Sequence, residues 1–268
     1  MSNTATKKTA SENGPRWGQR ARDWAEIQEA TARPAYEAVL HRMNVGPDTA
    51  HLDAGCGSGM AASMAGALGA RVHGIDASEA LLAIAAERCP DGEFHQTDLE
   101  EIPFDDNSFD LVTGFNAFQY AGNPRAALQE AGRVCRPDGN IVIVTWAPPE
   151  GMEAASVLAA LKPFMPPPPP GAKPGGPFAL SDETVLRGFA SDAGLTPDHV
   201  FDVESPWTYP DLDTALRGII SAGVARLAIE RAGEEAVTNA HIEALEPFRQ
   251  EDGSYKIGSA LRCLVALP

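Results

Sequence analysis

Three glycines and three acids carry the most specific chemistry in this 268-residue chain. Asp53 precedes the run Gly55-Cys56-Gly57-Ser58-Gly59, Asp76 follows Gly55 by 21 positions, and Asp98 closes Phe94-His95-Gln96-Thr97-Asp98. Glycines lack a Cβ, so a backbone built from them can approach a ligand closely. An acid about 20 residues further on is placed to accept hydrogen bonds from the two hydroxyls of a ribose. The pattern therefore points to a nucleoside-containing cofactor. Gly57-Ser58-Gly59-Met60-Ala61-Ala62 also satisfies the G-x-G-x-x-A spacing of a dinucleotide loop, which keeps a nicotinamide cofactor and hydride chemistry open. Asp53 counts against that reading. A carboxylate ahead of the glycines repels a pyrophosphate and suits a cofactor bearing an ammonium or sulfonium.

These residues need a parallel sheet to bring them together, and the surrounding pattern supplies one. Residues 50–53, 71–76, 93–97, 109–115 and 140–146 read as strands, the last a continuous apolar run of the kind buried on both faces. Leu68-Gly69 ends a helix after the glycine loop, Ser78 caps a second helix over 79–88, and Asn123-Pro124 starts a third. Asp53, Asp76 and Asp98 then stand at the tips of three successive strands. Residues 18–44 carry helical periodicity broken at Pro34, with Trp17, Trp24 and Tyr36 as large anchors.

With these motifs in this order, the chain resembles the class I S-adenosylmethionine-dependent methyltransferases. The likeness is to the small-molecule group that includes the ubiquinone and menaquinone biosynthesis methyltransferases (methyltransferase type 11). The matching stretches are 51–59, 72–78, 94–99, 109–120 and 127–146, where Glu130-Ala131-Gly132-Arg133-Val134-Cys135-Arg136-Pro137-Asp138-Gly139 is similar to E-x-x-R-V-L-x-P-G-G. Asp138 stands where the first glycine of that signature is usual.

The resemblance implies a Rossmann-like α/β fold. Its doubly wound seven-stranded sheet would be mostly parallel, with an antiparallel last strand, and a helical cap would complete it. It also implies S-adenosyl-L-methionine as cofactor and methyl transfer to a small-molecule acceptor. Gly55, Cys56 and Gly57 would present backbone to the methionyl end, and Asp53 would support its amino group. Asp76 would hold the ribose, with Ala77 and Ser78 near the adenine. Asp98 would accept from the adenine amino group and Leu99 would offer its backbone N–H. Phe115 and Asn116 would touch the methionyl amine from the other side. Trp17, Arg22 and Trp24 would close over the cofactor, Arg22 meeting its carboxylate. Gln119 and Tyr120 are substrate candidates. No catalytic base is assigned, and His241, in the cap, is the one histidine expected to face substrate. A protein that binds the cofactor without transferring its methyl group stays open as an alternative.

The expected organisation is a disordered segment over 1–14 and one methyltransferase domain over 15–268. That domain divides into N-terminal helices (15–48), a cofactor core (49–146), a Pro/Gly-rich loop (163–177) and a helical cap insert (207–252). Past Trp146, Ser181 is read as capping a helix that stops at Gly194, residues 199–204 as a sixth strand, and 255–267 as the last strand. Phe178, Phe189, Trp207, Tyr209, Leu212 and Phe248 would suit an apolar or aromatic acceptor, or equally a core.

A formal charge of −16 argues against nucleic acid, whose phosphates need Lys and Arg. No segment reaches the roughly 18 apolar residues of a membrane span, and residues 1–8 lack the apolar core of a signal peptide. Four separated cysteines (Cys56, Cys89, Cys135, Cys263) fit free thiols in a reducing cytoplasm. A cytoplasmic monomer or homodimer is expected.

Overall fold

The computed structural model describes residues 9–167 and 176–268. Among the described residues nine strands occur in chain order: β1 (Ala50–Ala54), β2 (Arg71–Asp76), β3 (Glu93–Gln96), β4 (Phe109–Phe115), β5 (Cys135–Trp146), β6 (Thr196–Glu204), β7 (Trp207–Tyr209), β8 (Tyr255–Ile257) and β9 (Ala260–Leu267). Seven of them form one sheet in the order β3-β2-β1-β4-β5-β9-β6. β1 pairs parallel with β2 and β4, whereas β9 runs antiparallel between β5 and β6. This is the expected doubly wound sheet with its inserted antiparallel strand.

The centre of this sheet is buried on both faces, and β5 accordingly carries the apolar run Ile141 to Val144. All five residues of β1 are buried, as are Ile141 to Val144 of β5, because helices cover both faces. On one face Leu128, Ala131 and Val134 of the helix Pro124–Val134 and Leu186 and Ala190 of the helix Glu183–Asp192 pack on Leu52, Ile141 and Ile143. On the other, Val39 and Leu40 of the helix Arg33–Arg42 and Ala62 and Ala65 of the helix Met60–Ala67 meet Leu111, Val142 and Val144. Ser78 caps the helix Glu79–Arg88 by accepting from the Leu81 amide, and Asn123 caps Pro124–Val134 by accepting from the Ala126 amide.

Several expectations change. The disorder expected over 1–14 does not hold for the described part, since Ala10–Gly18 is helical; residues 1–8 lie outside the described residues. Residues 18–44 are not one helix broken at Pro34. The chain turns through Trp24–Gln28 with π-type and Glu29–Ala32 with 3₁₀ spacing before Arg33–Arg42, where Pro34 sits in the first turn and costs no hydrogen bond. Asp182 rather than Ser181 caps Glu183–Asp192, accepting from the Val185 amide. A short helix, Ala154–Ala159, fills part of the stretch after Trp146. Of the Pro/Gly-rich loop, residues 168–175 lie outside the described residues.

The expected last strand divides in two. Gly258-Ser259 separates β8 from β9, and β8 instead pairs with β7. The cap is therefore an insert closed at its base by a two-stranded ribbon. Between these strands run the helices Leu212–Ile220, Gly223–Ala232 and Glu234–Leu245. Trp207 and Tyr209 are 2% exposed, and Leu212 and Phe248 pack against them. Phe189 packs on the core of the main sheet. These aromatic and apolar residues are core rather than pocket lining.

Candidate cofactor site

The glycine loop joins β1 to the helix Met60–Ala67. Gly57 has φ +55°, a left-handed conformation, and a Cβ there would come within 3.5 Å of both Trp24 Nε1 and Glu29 Oε1. At Gly59, φ +78°, a Cβ would lie 2.6 Å from that of Ala85, so this glycine lets the helix Glu79–Arg88 pack against the loop.

Asp76, last residue of β2, ties the loop down. One of its carboxylate oxygens accepts from the Gly57 amide at 3.0 Å and the other from the Ser78 amide at 2.8 Å. Burial nevertheless holds its pKa above the usual carboxylate range. Asp53 lies beneath the loop, 1% exposed, accepting from the Thr113 hydroxyl at 2.9 Å. Burial pushes its pKa up to about 7, and the nearby Glu29 and Asp76 carboxylates push the same way. Cys56 is buried, with its thiol pKa raised well above the usual value by burial.

Beyond β3, Asp98 is 9% exposed and accepts from the amides of Glu100 at 3.0 Å and Ala10 at 3.3 Å. The helix Ala10–Gly18 thus lies across this edge. A Cβ on Gly14 would come 2.2 Å from the Ala77 carbonyl oxygen, and one on Gly18 would come 2.7 Å from the Ser78 hydroxyl. Thr9 and Asn13 both donate to the Tyr120 carbonyl, at 3.1 and 3.0 Å. Leu99 packs onto the core of the sheet.

After β4 the chain turns at Asn116, φ +52°. Its side-chain oxygen accepts from Gln119 Nε2 at 3.0 Å, while Gln119 Oε1 is buried without a partner. Phe115 stacks edge-on with Tyr36, centroids 4.6 Å apart, and Trp17 packs edge-on against both Trp24 and Tyr120. Burial raises the Tyr120 hydroxyl pKa to about 12.

Two expected residues fall elsewhere. Arg22 is turned to solvent, where it pairs with Glu87 at 2.9 Å across an exposed surface, so it does not stand over the site. A two-residue offset from Trp24 puts the two side chains on different sides of the turn. His241 is fully buried inside the cap, its Nδ1 bonded to the Val237 carbonyl oxygen at 2.9 Å and its Nε2 without a partner. Burial lowers its pKa. It reaches neither the loop nor the strand tips.

One residue of the site was missed by the sequence reading. Glu29 is 3% exposed and accepts from the Ser58 hydroxyl and the Arg88 guanidinium, with Met60 N 3.4 Å from its other oxygen. It therefore occupies the N-terminus of the helix after the glycine loop. A helix N-terminus is where a dinucleotide's pyrophosphate would bind, and here a side-chain carboxylate already fills it. Burial, the largest influence, raises the Glu29 pKa, while Ser58 and Arg88 act to lower it. No local pattern marks this glutamate, since its role depends on how an irregular N-terminal segment folds back onto the loop.

Strand order, loop and strand-tip acids define a class I methyltransferase fold. Residues 52–143 match the methyltransferase domain family. An uncharacterized protein of Mycobacterium tuberculosis is 30% identical over 148 residues, covering 54% of this chain and 53% of that one. A demethylmenaquinone methyltransferase of Clavibacter sepedonicus is 37% identical over 101 residues, 37% of this chain and 41% of that one. The chain spans about half the length, or less, of these curated relatives. Among solved structures, geranyl diphosphate C-methyltransferase of Streptomyces coelicolor, crystallised with S-adenosyl-L-homocysteine, superposes with a TM-score of 0.51 at 17% identity. That match covers 87% of this chain and 78% of the other, and it shows shared fold.

Among the described residues no helix is long and apolar enough to cross a membrane, and no group of His, Cys, Asp or Glu is arranged to hold a metal ion. All four cysteines are free and buried.

Proposed function

We propose that the protein binds S-adenosyl-L-methionine at this edge of the sheet and transfers its methyl group to a small apolar or aromatic acceptor. The observation that carries the cofactor half is Glu29. With a buried carboxylate on the helix N-terminus, and Asp53 and Asp76 alongside, a pyrophosphate would meet three acids and no free anion site, whereas a cationic adenosyl compound meets complementary charge. The nicotinamide reading loses its support on the same ground.

The residues present fit that cofactor. Trp24 Nε1 is a buried donor without a partner beside Gly57, and Gln119 Oε1 is a buried acceptor without one next to Asn116. A carboxylate and an ammonium are the groups that would satisfy such a pair. Asp76 would hold the ribose, and Asp98 the adenine amino group in place of the Ala10 amide. Gly55, Cys56 and Gly57 would pass their backbone along the methionyl end, and Asn116 would face its amine. When bound, the cofactor supplies an activated methyl group on a sulfonium, so the protein's share of the chemistry is alignment and exclusion of water. Trp17 with Trp24 and Tyr120, and Tyr36 with Phe115, are the aromatic groups that would do both. They also favour an acceptor with an apolar or aromatic face, a class to which the demethylmenaquinone of the relative's name belongs.

Calorimetry with S-adenosylmethionine and S-adenosylhomocysteine tests the cofactor half, and absence of binding by the wild-type chain ends it. Release of S-adenosylhomocysteine across a panel of quinones, phenols and apolar alcohols tests the transfer. Cofactor binding with no release from any acceptor would favour a binding protein without transfer activity.

A further inference from the structure

A polar chain runs through the middle of the sheet directly under the glycine loop. His51 and Asp53 lie two residues apart on β1 and so share a face, and Thr113 of β4 is the register partner of Asp53. His51 Nε2 is 2.8 Å from Thr113 Oγ1, which is 2.9 Å from Asp53 Oδ1. All three residues are at most 1% exposed. Polar groups in so dry a place are costly unless each is satisfied, and apolar residues would serve the sheet better.

The chain has a preferred direction. The threonine hydroxyl carries one hydrogen, which can point to Asp53 or to His51. Burial keeps the imidazole neutral, its pKa lowered to about 3, so the ring has one N–H. If the hydroxyl points to Asp53, then His51 donates from Nε2 and only the Nδ1 lone pair is left unpartnered. If it points to His51, Asp53 must be protonated and a buried Nδ1–H is left without an acceptor. Buried orphan N–H groups are the rarer and costlier case, so the first direction prevails.

We propose that His51 and Thr113 are positioning residues of the cofactor site, a hydrogen-bond chain that aims a donor at Asp53 and so favours its carboxylate over the carboxylic acid. This rests on the cofactor reading above: the charge so held is the one that would attract a cationic methionyl end. The groups facing Asp53 work mostly against it. Glu29 from the N-terminal segment and Asp76 from β2 both disfavour a further negative charge. The Tyr36 hydroxyl from Arg33–Arg42 and the Cys56 thiol of the loop are neutral, and both are held so in part by Asp53 itself. Arg88, the cation of this group, is engaged by Glu29. His73 adds to the pressure that keeps His51 neutral. Thr113 is thus the donor that offsets these influences.

The test compares the wild type with Thr113→Val, Thr113→Ser, His51→Leu and Asp53→Asn. Two readouts are used: the carboxyl-carbon NMR titration of Asp53 in the ligand-free protein, and S-adenosylhomocysteine affinity from about pH 5.5 to pH 9. Thr113→Val should raise the Asp53 midpoint by about one pH unit, weakening binding about tenfold in acid with recovery in base. Thr113→Ser should restore the wild-type profile, His51→Leu should shift it less than Thr113→Val, and Asp53→Asn should flatten it. An Asp53 midpoint equal in wild type and Thr113→Val overturns the proposal. So does a loss of affinity uniform across pH. If Thr113→Val does not fold, the His51→Leu titration decides in the same way. Should the NMR midpoint shift while no form binds the cofactor analogue, the hydrogen-bond chain stands and the cofactor reading fails.

Discussion

Glu29 and Met60 are 31 positions apart in sequence, yet the glutamate's carboxylate caps the amide of Met60 at 3.4 Å. This contact anchors the irregular N-terminal segment to the first turn after the glycine loop. Its other oxygen takes the Ser58 hydroxyl and the Arg88 guanidinium. Replacing Glu29 by Gln leaves Arg88 without its ion partner. Because the Arg88 side chain is 25% exposed, the cost falls below that of a fully buried pair, at about 2–3 kcal/mol. Urea denaturation measures it, and an unchanged midpoint would mean the pair anchors nothing.

Asp76 makes two backbone hydrogen bonds that shape the loop. Asp76→Ala should weaken S-adenosylhomocysteine binding by about thirtyfold or more, the equivalent of about 2 kcal/mol for charge-assisted hydrogen bonds lost. Calorimetry reads this directly, and a variant that binds within twofold of wild type would remove Asp76 from the site.

His241 offers a pH test unconnected to the cofactor. Burial lowers its folded-state pKa below the ordinary 6.5. The unfolded chain therefore takes up a proton that the folded chain refuses as pH falls below about 6.5, so stability is full above that value and declines beneath it. His241→Leu removes both the titration and the unpartnered Nε2. It should make the acid side of a plot of Tm against pH less steep, with His51 still contributing to the decline, while leaving cofactor affinity unaltered. A change in affinity would return His241 to the site.

Gly14 sets how closely the helix Ala10–Gly18 can lie on the sheet edge. A side chain there meets the Ala77 carbonyl at 2.2 Å, so Gly14→Val must lift the helix, at a cost of about 1–3 kcal/mol. Amide hydrogen exchange over residues 9–18 should accelerate, and unchanged protection would show that the helix docks in another way.

Much of this fold was legible because its signals are local. The glycine loop, the strand-tip acids, the Ser78 cap and the Asn123-Pro124 start each need only neighbouring residues, and each lies where the pattern places it. What escaped depends on contacts distant in sequence. Glu29 meets the loop only because the N-terminal segment turns through mixed π and 3₁₀ spacing, which has no apolar period to read. Trp207, Tyr209 and Phe248 carry the same composition whether they line a pocket or fill a core, and only the pairing of β7 with β8 decides for the core. The division of the last strand did have a cue in Gly258-Ser259, set inside an otherwise strand-like run. Arg22 was misplaced for a related reason, since a charge near two tryptophans looks like a ligand contact until Glu87 is found beside it.

The placement of β9 has a consequence for how the molecule is made. In the sheet described, β6 is paired through β9 alone, and β7 through β8 alone. Both partners arrive within residues 255–267, long after the strands they complete. During synthesis the growing chain must carry β5 and β6 with open edges, and a cap without its basal ribbon, until those residues leave the ribosome. Such late, long-range closure slows folding and leaves adhesive strand edges exposed in the interval. A lesion in β9 would accordingly harm yield in the cell more than its modest length suggests.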